Sequence, residues 1–145
     1  MLTFQCFPHR RLKESGCCTF CFSVSNPTAF GVVEIDSRGM IVSLEEKPSL
    51  PKSNLAITGF YSFPYDAIEE SKKLVKSARG EFEIIDLLKV YKSQERLRAN
   101  VLPRGTAWLD AGSQEGLLES SEFVHALQKR QGLLVGSPDE AAWQL

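Results

Sequence analysis

The sequence predicts an α/β domain with a mixed sheet, flanking helices and a helical C-terminus. Strand patterns before residue 50 form one hairpin, strand and helix patterns alternate after residue 55, and a helical period runs through most of the chain after residue 113. With 145 residues, 43% of them apolar, the chain can bury the core of one domain. No linker or internal repeat divides it, so we expect a single domain.

The first half predicts four strands joined by turn residues. β-Branched, aromatic and alternating apolar residues mark residues 17–25, 30–36, 40–47 and 55–63. Asn26-Pro27 predicts a turn after the first strand, because proline fixes its own φ and restricts the residue before it. Ser37-Arg38-Gly39 predicts a short hairpin loop between the second and third strands.

The second half predicts helices around one further strand. Apolar residues at helical spacing mark segments 64–74, 81–93, 113–130 and 138–145, whereas residues 98–102 alternate as a strand does. The predicted apolar face of the long helix consists of Leu117, Leu118, Ser121, Val124, Leu127 and Gln128.

Charge and hydropathy argue against nucleic acid and membrane as partners. Seventeen basic and eighteen acidic residues give a net charge of -1, which offers no long-range attraction to a polyanion. Charges interrupt every apolar run before the roughly 20 residues that a membrane span needs. The N-terminal apolar residues precede the basic cluster, the reverse of a secretory signal, so we expect a cytoplasmic protein.

Four cysteines lie at positions 6, 17, 18 and 21, too close together to staple the chain with disulfides. Cys18 and Cys21 have C-x-x-C spacing, but His9 and His125 do not supply the second ligand pair of a zinc site. We therefore interpret this segment as a strand in which free cysteines act as small buried residues. A metal or redox role is the alternative.

The first candidate site is Glu45-Glu46-Lys47-Pro48, at the end of the third predicted strand. Ligand crevices in α/β sheets open at strand ends, and strand alternation points Glu46 to one face and its neighbours to the other, unless the Pro48 turn redirects Lys47. A carboxylate that accepts sugar hydroxyls beside an ammonium that faces a phosphate would suit a phosphorylated sugar. The alternative is a solvated, charged strand end.

Two further segments are candidates for phosphate and metal binding. Asp110, in Trp108-Leu109-Asp110-Ala111-Gly112, is a hard oxygen ligand suited to Mg²⁺; alternatively, Asp110 or Ser113 caps the following helix. In Arg79-Gly80-Glu81-Phe82-Glu83, the arginine could clamp a phosphate. The alternative there is a solvated arginine and two glutamates that stabilise the helix N-terminus.

Taken in order, the segments FGVVEID, SLEEKP, PKSNLAITGFY, SARGEFEI, GTAWLDAGS and HALQKRQG resemble the second half of bacterial glucose-1-phosphate thymidylyltransferases, members of the sugar-phosphate nucleotidylyltransferase family. The resemblance implies that residues 16–145 are the C-terminal part of a Rossmann-like nucleotidyltransferase domain, the sugar-phosphate-binding half plus C-terminal helices. Residues 1–15 match nothing in that pattern.

The resemblance also implies a reaction and a set of site residues. The family joins dTTP and glucose 1-phosphate to give dTDP-glucose and pyrophosphate, for dTDP-rhamnose synthesis. By this resemblance the substrate-binding residues are Gly31, Glu46, Lys47, Ile57, Tyr61 and Arg79, and Asp110 holds Mg²⁺. Gly31 would contact the hexose through its backbone, and Arg79 would approach the phosphates.

The departure from the family pattern sets a second expectation. The glycine-rich nucleotide loop, the lysine after it and the partner aspartate for Mg²⁺ are missing, so half of the metal site is absent and we expect little or no activity from this chain alone. The family is homo-oligomeric, and exposed strand edges would favour self-association or aggregation. The alternatives are a non-catalytic module for sugar-nucleotide binding or subunit association, and a transferase with another base or sugar.

Overall fold

The computed structural model describes residues 16–132 and 134–143. They belong to two compact units, Met1–Thr106 and Ala107–Leu145. Residues 1–15, which we expected to fall outside the family pattern, lie outside the described residues.

The first unit is built on a five-stranded sheet. Its strands are β1 (Cys17–Ser23), β2 (Gly31–Ile35), β3 (Ile41–Glu46), β4 (Leu55–Ser62) and β5 (Leu97–Val101). The strand order is β3-β2-β4-β1-β5, with β1 parallel to β5 and the other neighbours antiparallel. The prediction of a mixed sheet is confirmed.

The predicted hairpin is also present as the antiparallel pair β2 and β3. One carboxylate oxygen of Asp36 accepts hydrogen bonds from the backbone nitrogens of Arg38 (2.8 Å) and Met40 (2.9 Å). Gly39 has a φ of 78°, a left-handed conformation that costs glycine little. The hairpin therefore sets the register that pairs Gly31 with Glu46.

The core of this unit lies between one face of the sheet and a helix, α2. The first helix, α1 (Ala67–Ser71), ends three residues before the predicted Leu74, and α2 spans Ile84–Ser93. The prediction started α2 at residue 81, but the backbone of Glu83 is still extended, with φ -95° and ψ 128°. The helix buries Ile85, Leu88 and Tyr91 against the sheet.

A polar cluster at the end of this core joins the loop before α1 to the loop after α2. Asp66 accepts a hydrogen bond from the hydroxyl of Tyr91 (2.9 Å) and another from Arg96 (2.7 Å). The Arg96 guanidinium also lies over the Tyr91 ring, 5.2 Å from its centroid. These hydrogen bonds lower the pKa of Asp66 below its usual value.

The cysteine segment is the buried strand that the sequence predicted. Cys17, Cys18 and Cys21 are free thiols buried in β1. Burial raises the pKa of Cys17 and of Cys21 to about 12 and also raises the pKa of Cys18. These thiols therefore stay protonated near neutral pH and pack as small apolar side chains.

The second unit contains α3 (Gln114–Gln131) and a short helix, α4 (Pro138–Trp143). Ser113 caps α3 by accepting a hydrogen bond from the backbone nitrogen of Gly116 (3.0 Å), and Gly132 ends it in a left-handed conformation. Leu117 and Leu118, on the predicted apolar face, are more than half exposed. In the described part of the chain, the helices are too short or too polar to cross a membrane.

Candidate functional site

The candidate site is centred on Gly31 and Glu46, which face each other across β2 and β3. A Cβ atom built on Gly31 would lie 3.2 Å from the Glu46 carboxylate and 3.4 Å from the Cδ1 atoms of both Ile57 and Ile85. The absence of a side chain at position 31 thus leaves space between a carboxylate and two apolar side chains. Of these residues, the sequence did not suggest Ile85.

Lys47 follows Glu46 but leaves the alternation of the strand. Its φ is 42°, in the left-handed region that non-glycine residues rarely adopt, and its backbone nitrogen donates to the carbonyl oxygen of Phe30 (3.0 Å). Burial raises the pKa of Glu46, and the positive charge of Lys47 partly offsets that rise. The backbone therefore turns at Lys47, before Pro48, which is the departure from strand alternation that the sequence left open. Glu45 pairs with Lys52 instead, at 2.8 Å.

Arg79 brings a guanidinium to this carboxylate from the loop before α2. Its Nη1 atom lies 3.8 Å from Glu46 and 3.7 Å from Glu83, and its Nη2 atom lies 2.9 Å from Glu81. The loop is closed by two backbone hydrogen bonds, from Gly80 to the Ser77 carbonyl and from Ser77 to the Glu81 carbonyl, each 2.8 Å long. The arginine is half exposed, but it is paired with carboxylates rather than free in solvent.

Glu83 lies at the start of α2, where its charge can stabilise the helix N-terminus, but its side chain also takes part in the candidate site. It occupies the N-cap position of α2, but the structure gives its side chain no capping hydrogen bond within the described residues. Its carboxylate instead accepts a hydrogen bond from the hydroxyl of Ser77 (2.9 Å) and is only 12% exposed. An acidic residue after Arg-Gly, next to a buried helix start, was the available signal for this role.

The electrostatics of the site make Glu46 hold its proton more tightly than an ordinary glutamate. Its pKa is raised, first by burial and then by the negative charges of Glu83 and Asp86, against the lowering effects of Lys47 and Arg79. Tyr61 adds a phenol whose own pKa is raised by burial and by the charge of Glu46.

This arrangement suits a ligand with hydroxyl groups and an anionic end. The Glu46 carboxylate can accept hydrogen bonds from hydroxyls, and the Arg79 guanidinium can donate two parallel hydrogen bonds to a phosphate. Ile57 and Ile85 supply an apolar wall, as small-molecule sites usually have.

Asp110 belongs to the second unit. One carboxylate oxygen accepts a hydrogen bond from the backbone nitrogen of Gly112 (3.2 Å), and the side chain is exposed. Because Ser113 caps α3, the Asp110 carboxylate is not the cap. A Cβ atom on Gly116 would collide with the Asp110 carbonyl oxygen, so a glycine allows this tight approach to the helix. Within residues 16–132 and 134–143, no three potential metal ligands converge.

Comparison with known proteins defines the class to which this fold and site belong. The family model described as nucleotidyl transferase matches residues 6–126. The chain therefore belongs to the nucleotidyl transferase family.

The relatives agree with the resemblance seen in the sequence motifs. Glucose-1-phosphate thymidylyltransferase of Mycobacterium tuberculosis is 51% identical over 131 residues, which cover 90% of this chain and 46% of that protein. The enzyme of the same name from Neisseria meningitidis is 44% identical over 132 residues. The chain thus spans about half the length of these curated relatives, and it matches their C-terminal half.

Solved structures of nucleotidyltransferases share this fold and confirm the expected Rossmann-like fold. A Bacillus anthracis structure described as a glucose-1-phosphate thymidylyltransferase in complex with sucrose has a TM-score of 0.70 and 33% identity, covering 79% of this chain and 46% of that one. A UDP-glucose pyrophosphorylase complexed with UDP-glucose has a TM-score of 0.69 at 24% identity, covering 81% of this chain and 46% of that one, and supports the fold alone.

Proposed function

We propose that this chain supplies the sugar-phosphate-binding half of a glucose-1-phosphate thymidylyltransferase. The single observation that carries the proposal is that the Glu46 carboxylate and the apolar side chain of Ile57 converge on Gly31. The guanidinium of Arg79 lies next to that carboxylate. Relatives named for this activity support the identity of the ligand as glucose 1-phosphate or dTDP-glucose.

Each residue has a role that follows from its position. The hexose would lie over the backbone of Gly31, with Glu46 accepting hydrogen bonds from its hydroxyls and Ile57 and Tyr61 along its ring. Arg79 and Lys47 would neutralise the phosphate. Holding the sugar phosphate in this way would place its oxygen for attack on the α-phosphorus of dTTP, with pyrophosphate as the leaving group.

Asp110 would supply one oxygen ligand to a Mg²⁺ ion. The donor fits, because Mg²⁺ favours carboxylate oxygen and usually takes one or two carboxylates together with water and substrate phosphates. The ion would neutralise charge on the phosphate groups. The exposed carboxylate of Asp110 is compatible with this role.

Binding and turnover are separate expectations for this chain. The 145 residues contain no glycine-rich phosphate loop of the G-x-G-x-x-G or Walker type, so we expect ligand binding with little or no pyrophosphate release. That same feature favours a second candidate function, a non-catalytic module for sugar-nucleotide binding or subunit association.

We further propose that the protein forms homo-oligomers and is located in the cytoplasm, where the buried free thiols of β1 would stay reduced. The product of the complete enzyme, dTDP-glucose, would be consumed in dTDP-rhamnose synthesis.

Calorimetric titration of the chain with dTDP-glucose tests the proposal. Glu46→Gln and Lys47→Ala should each weaken binding, whereas Glu45→Gln is the matched control, because Glu45 points to the other face and pairs with Lys52. No heat of binding from a chain that unfolds cooperatively would contradict the proposal. Equal losses from Glu46→Gln and Glu45→Gln would contradict this site. Pyrophosphate release with dTTP and glucose 1-phosphate would overturn the expectation of inactivity.

A further inference from the structure

Glu83 is a largely buried carboxylate to which the proposed function gives no role. A carboxylate with 12% exposure needs partners to offset the loss of hydration. Its partners are the hydroxyl of Ser77 at 2.9 Å and the Nη1 atom of Arg79 at 3.7 Å. Helix capping does not account for it, since its side chain makes no capping hydrogen bond within the described residues.

The three carboxylates around Arg79 are not equivalent. Glu81 makes the shortest contact, at 2.9 Å, but it is 62% exposed, and exposed ion pairs contribute little. Glu83 is the most buried of the three and faces Nη1, the same atom that lies 3.8 Å from Glu46. Glu83 and Glu46 thus flank one nitrogen of the guanidinium, whereas the exposed Glu81 contacts the other nitrogen.

We propose that Glu83 is a positioning residue that, anchored by Ser77, holds the guanidinium of Arg79 beside Glu46, where the phosphate of the ligand would bind. Ser77 suits the role of anchor because its backbone also closes the loop through hydrogen bonds with Gly80 and Glu81. The identity of the ligand rests on the proposed function, but the restraint on Arg79 does not.

The positioning role and a purely electrostatic role predict opposite effects on affinity. A carboxylate near a phosphate site repels the phosphate, so neutralising it without other change would tighten binding. If Glu83 positions Arg79, Glu83→Gln weakens the affinity for glucose 1-phosphate about fivefold, although a negative charge has been removed. The matched control Glu81→Gln removes the same charge from the same arginine and changes affinity less than about twofold.

A measurement without ligand separates this inference from the proposed function. In the NMR spectrum of the labelled chain, restrained rotation of the Arg79 guanidinium gives separate Nη signals, which Glu83→Gln should merge and Glu81→Gln should preserve. Ser77→Ala should also bring the separate Nη signals of Arg79 toward merging. The double variant Ser77→Ala, Glu83→Gln should merge the Arg79 signals little more than Glu83→Gln alone, because both residues act through one contact. Thermal unfolding of each variant confirms that it is folded.

The outcomes of these experiments distinguish a failure of the proposed function from a failure of the positioning role of Glu83. If the wild-type chain binds no glucose 1-phosphate, the proposed function fails, and the Arg79 signals alone decide the role of Glu83. Tighter or unchanged binding in Glu83→Gln, or Arg79 signals that respond equally to Glu81→Gln, would overturn the positioning role.

Discussion

Replacing Gly31 with alanine tests whether an empty position at the centre of the site matters for binding. The added Cβ would lie 3.2 Å from the Glu46 carboxylate and 3.4 Å from Ile57 and Ile85, at or inside the short limit of ordinary packing. Those neighbours would have to move by a few tenths of an ångström, and the methyl group would occupy the space assigned to the hexose.

Gly31→Ala should change the stability of the chain only slightly and its affinity for the ligand more strongly. Crowding costs about 1–3 kcal/mol, whereas replacing a strand glycine by alanine returns about 0.5–1 kcal/mol. The free energy of unfolding should therefore fall by about 1 kcal/mol. Affinity for dTDP-glucose should fall more than about tenfold, because the carboxylate moves and the close approach is blocked. Denaturant unfolding and calorimetric titration measure the two quantities.

Gly59→Ala provides the matched control. Gly59, in β4, has a φ of 79°, and a Cβ atom there would meet no heavy atom of the described residues within 4 Å. Alanine should cost about 1–2 kcal/mol through backbone strain and leave ligand binding unchanged. Wild-type affinity in Gly31→Ala, or an equal loss in both variants, would refute the assignment of Gly31 to the site.

Three further predictions concern stability. Burial raises the pKa of Cys17 and Cys21 from 9.0 to about 12, so the folded state keeps protons that the unfolded state releases. The free energy of unfolding should therefore fall as pH rises from about 9 to about 12. A thermal unfolding midpoint that is unchanged across this range would contradict the prediction. Tyr91→Phe removes the hydrogen bond to Asp66 but keeps the buried ring, so the unfolding midpoint should fall by a few degrees in calorimetry, and no change would count against that contact. Ser113→Ala should destabilise α3 by about 1 kcal/mol, seen as faster amide exchange in its first turn, and unchanged exchange there would contradict the role of Ser113 as the cap.

Local sequence chemistry predicted the elements and part of the site. The turn at Ser37-Arg38-Gly39 predicted the β2 and β3 hairpin, and strand alternation separated Glu46 from Glu45. Capping chemistry alone left Asp110 and Ser113 open as caps, because both residue types serve that role. The structure selects Ser113.

Contacts distant in the chain could not be predicted in this way. Ile85 and Glu83 join the site because α2 packs on the sheet face that carries Gly31 and Glu46, and no local pattern encodes that pairing. The left-handed backbone of Lys47 was likewise unexpected, since lysine rarely adopts it. At Lys47 this conformation accompanies a backbone hydrogen bond to Phe30, a residue distant in the sequence.

Chemical-shift mapping with glucose 1-phosphate tests the central claim most directly. The isotope-labelled chain would be titrated with the ligand, and with glucose as a comparison that lacks the phosphate. We predict that saturable shifts concentrate on Gly31, Glu46, Ile57 and Arg79, and that glucose fails to move the Arg79 signal. Shifts confined to other residues, or no saturable shift from a folded chain, would contradict the assignment of this site.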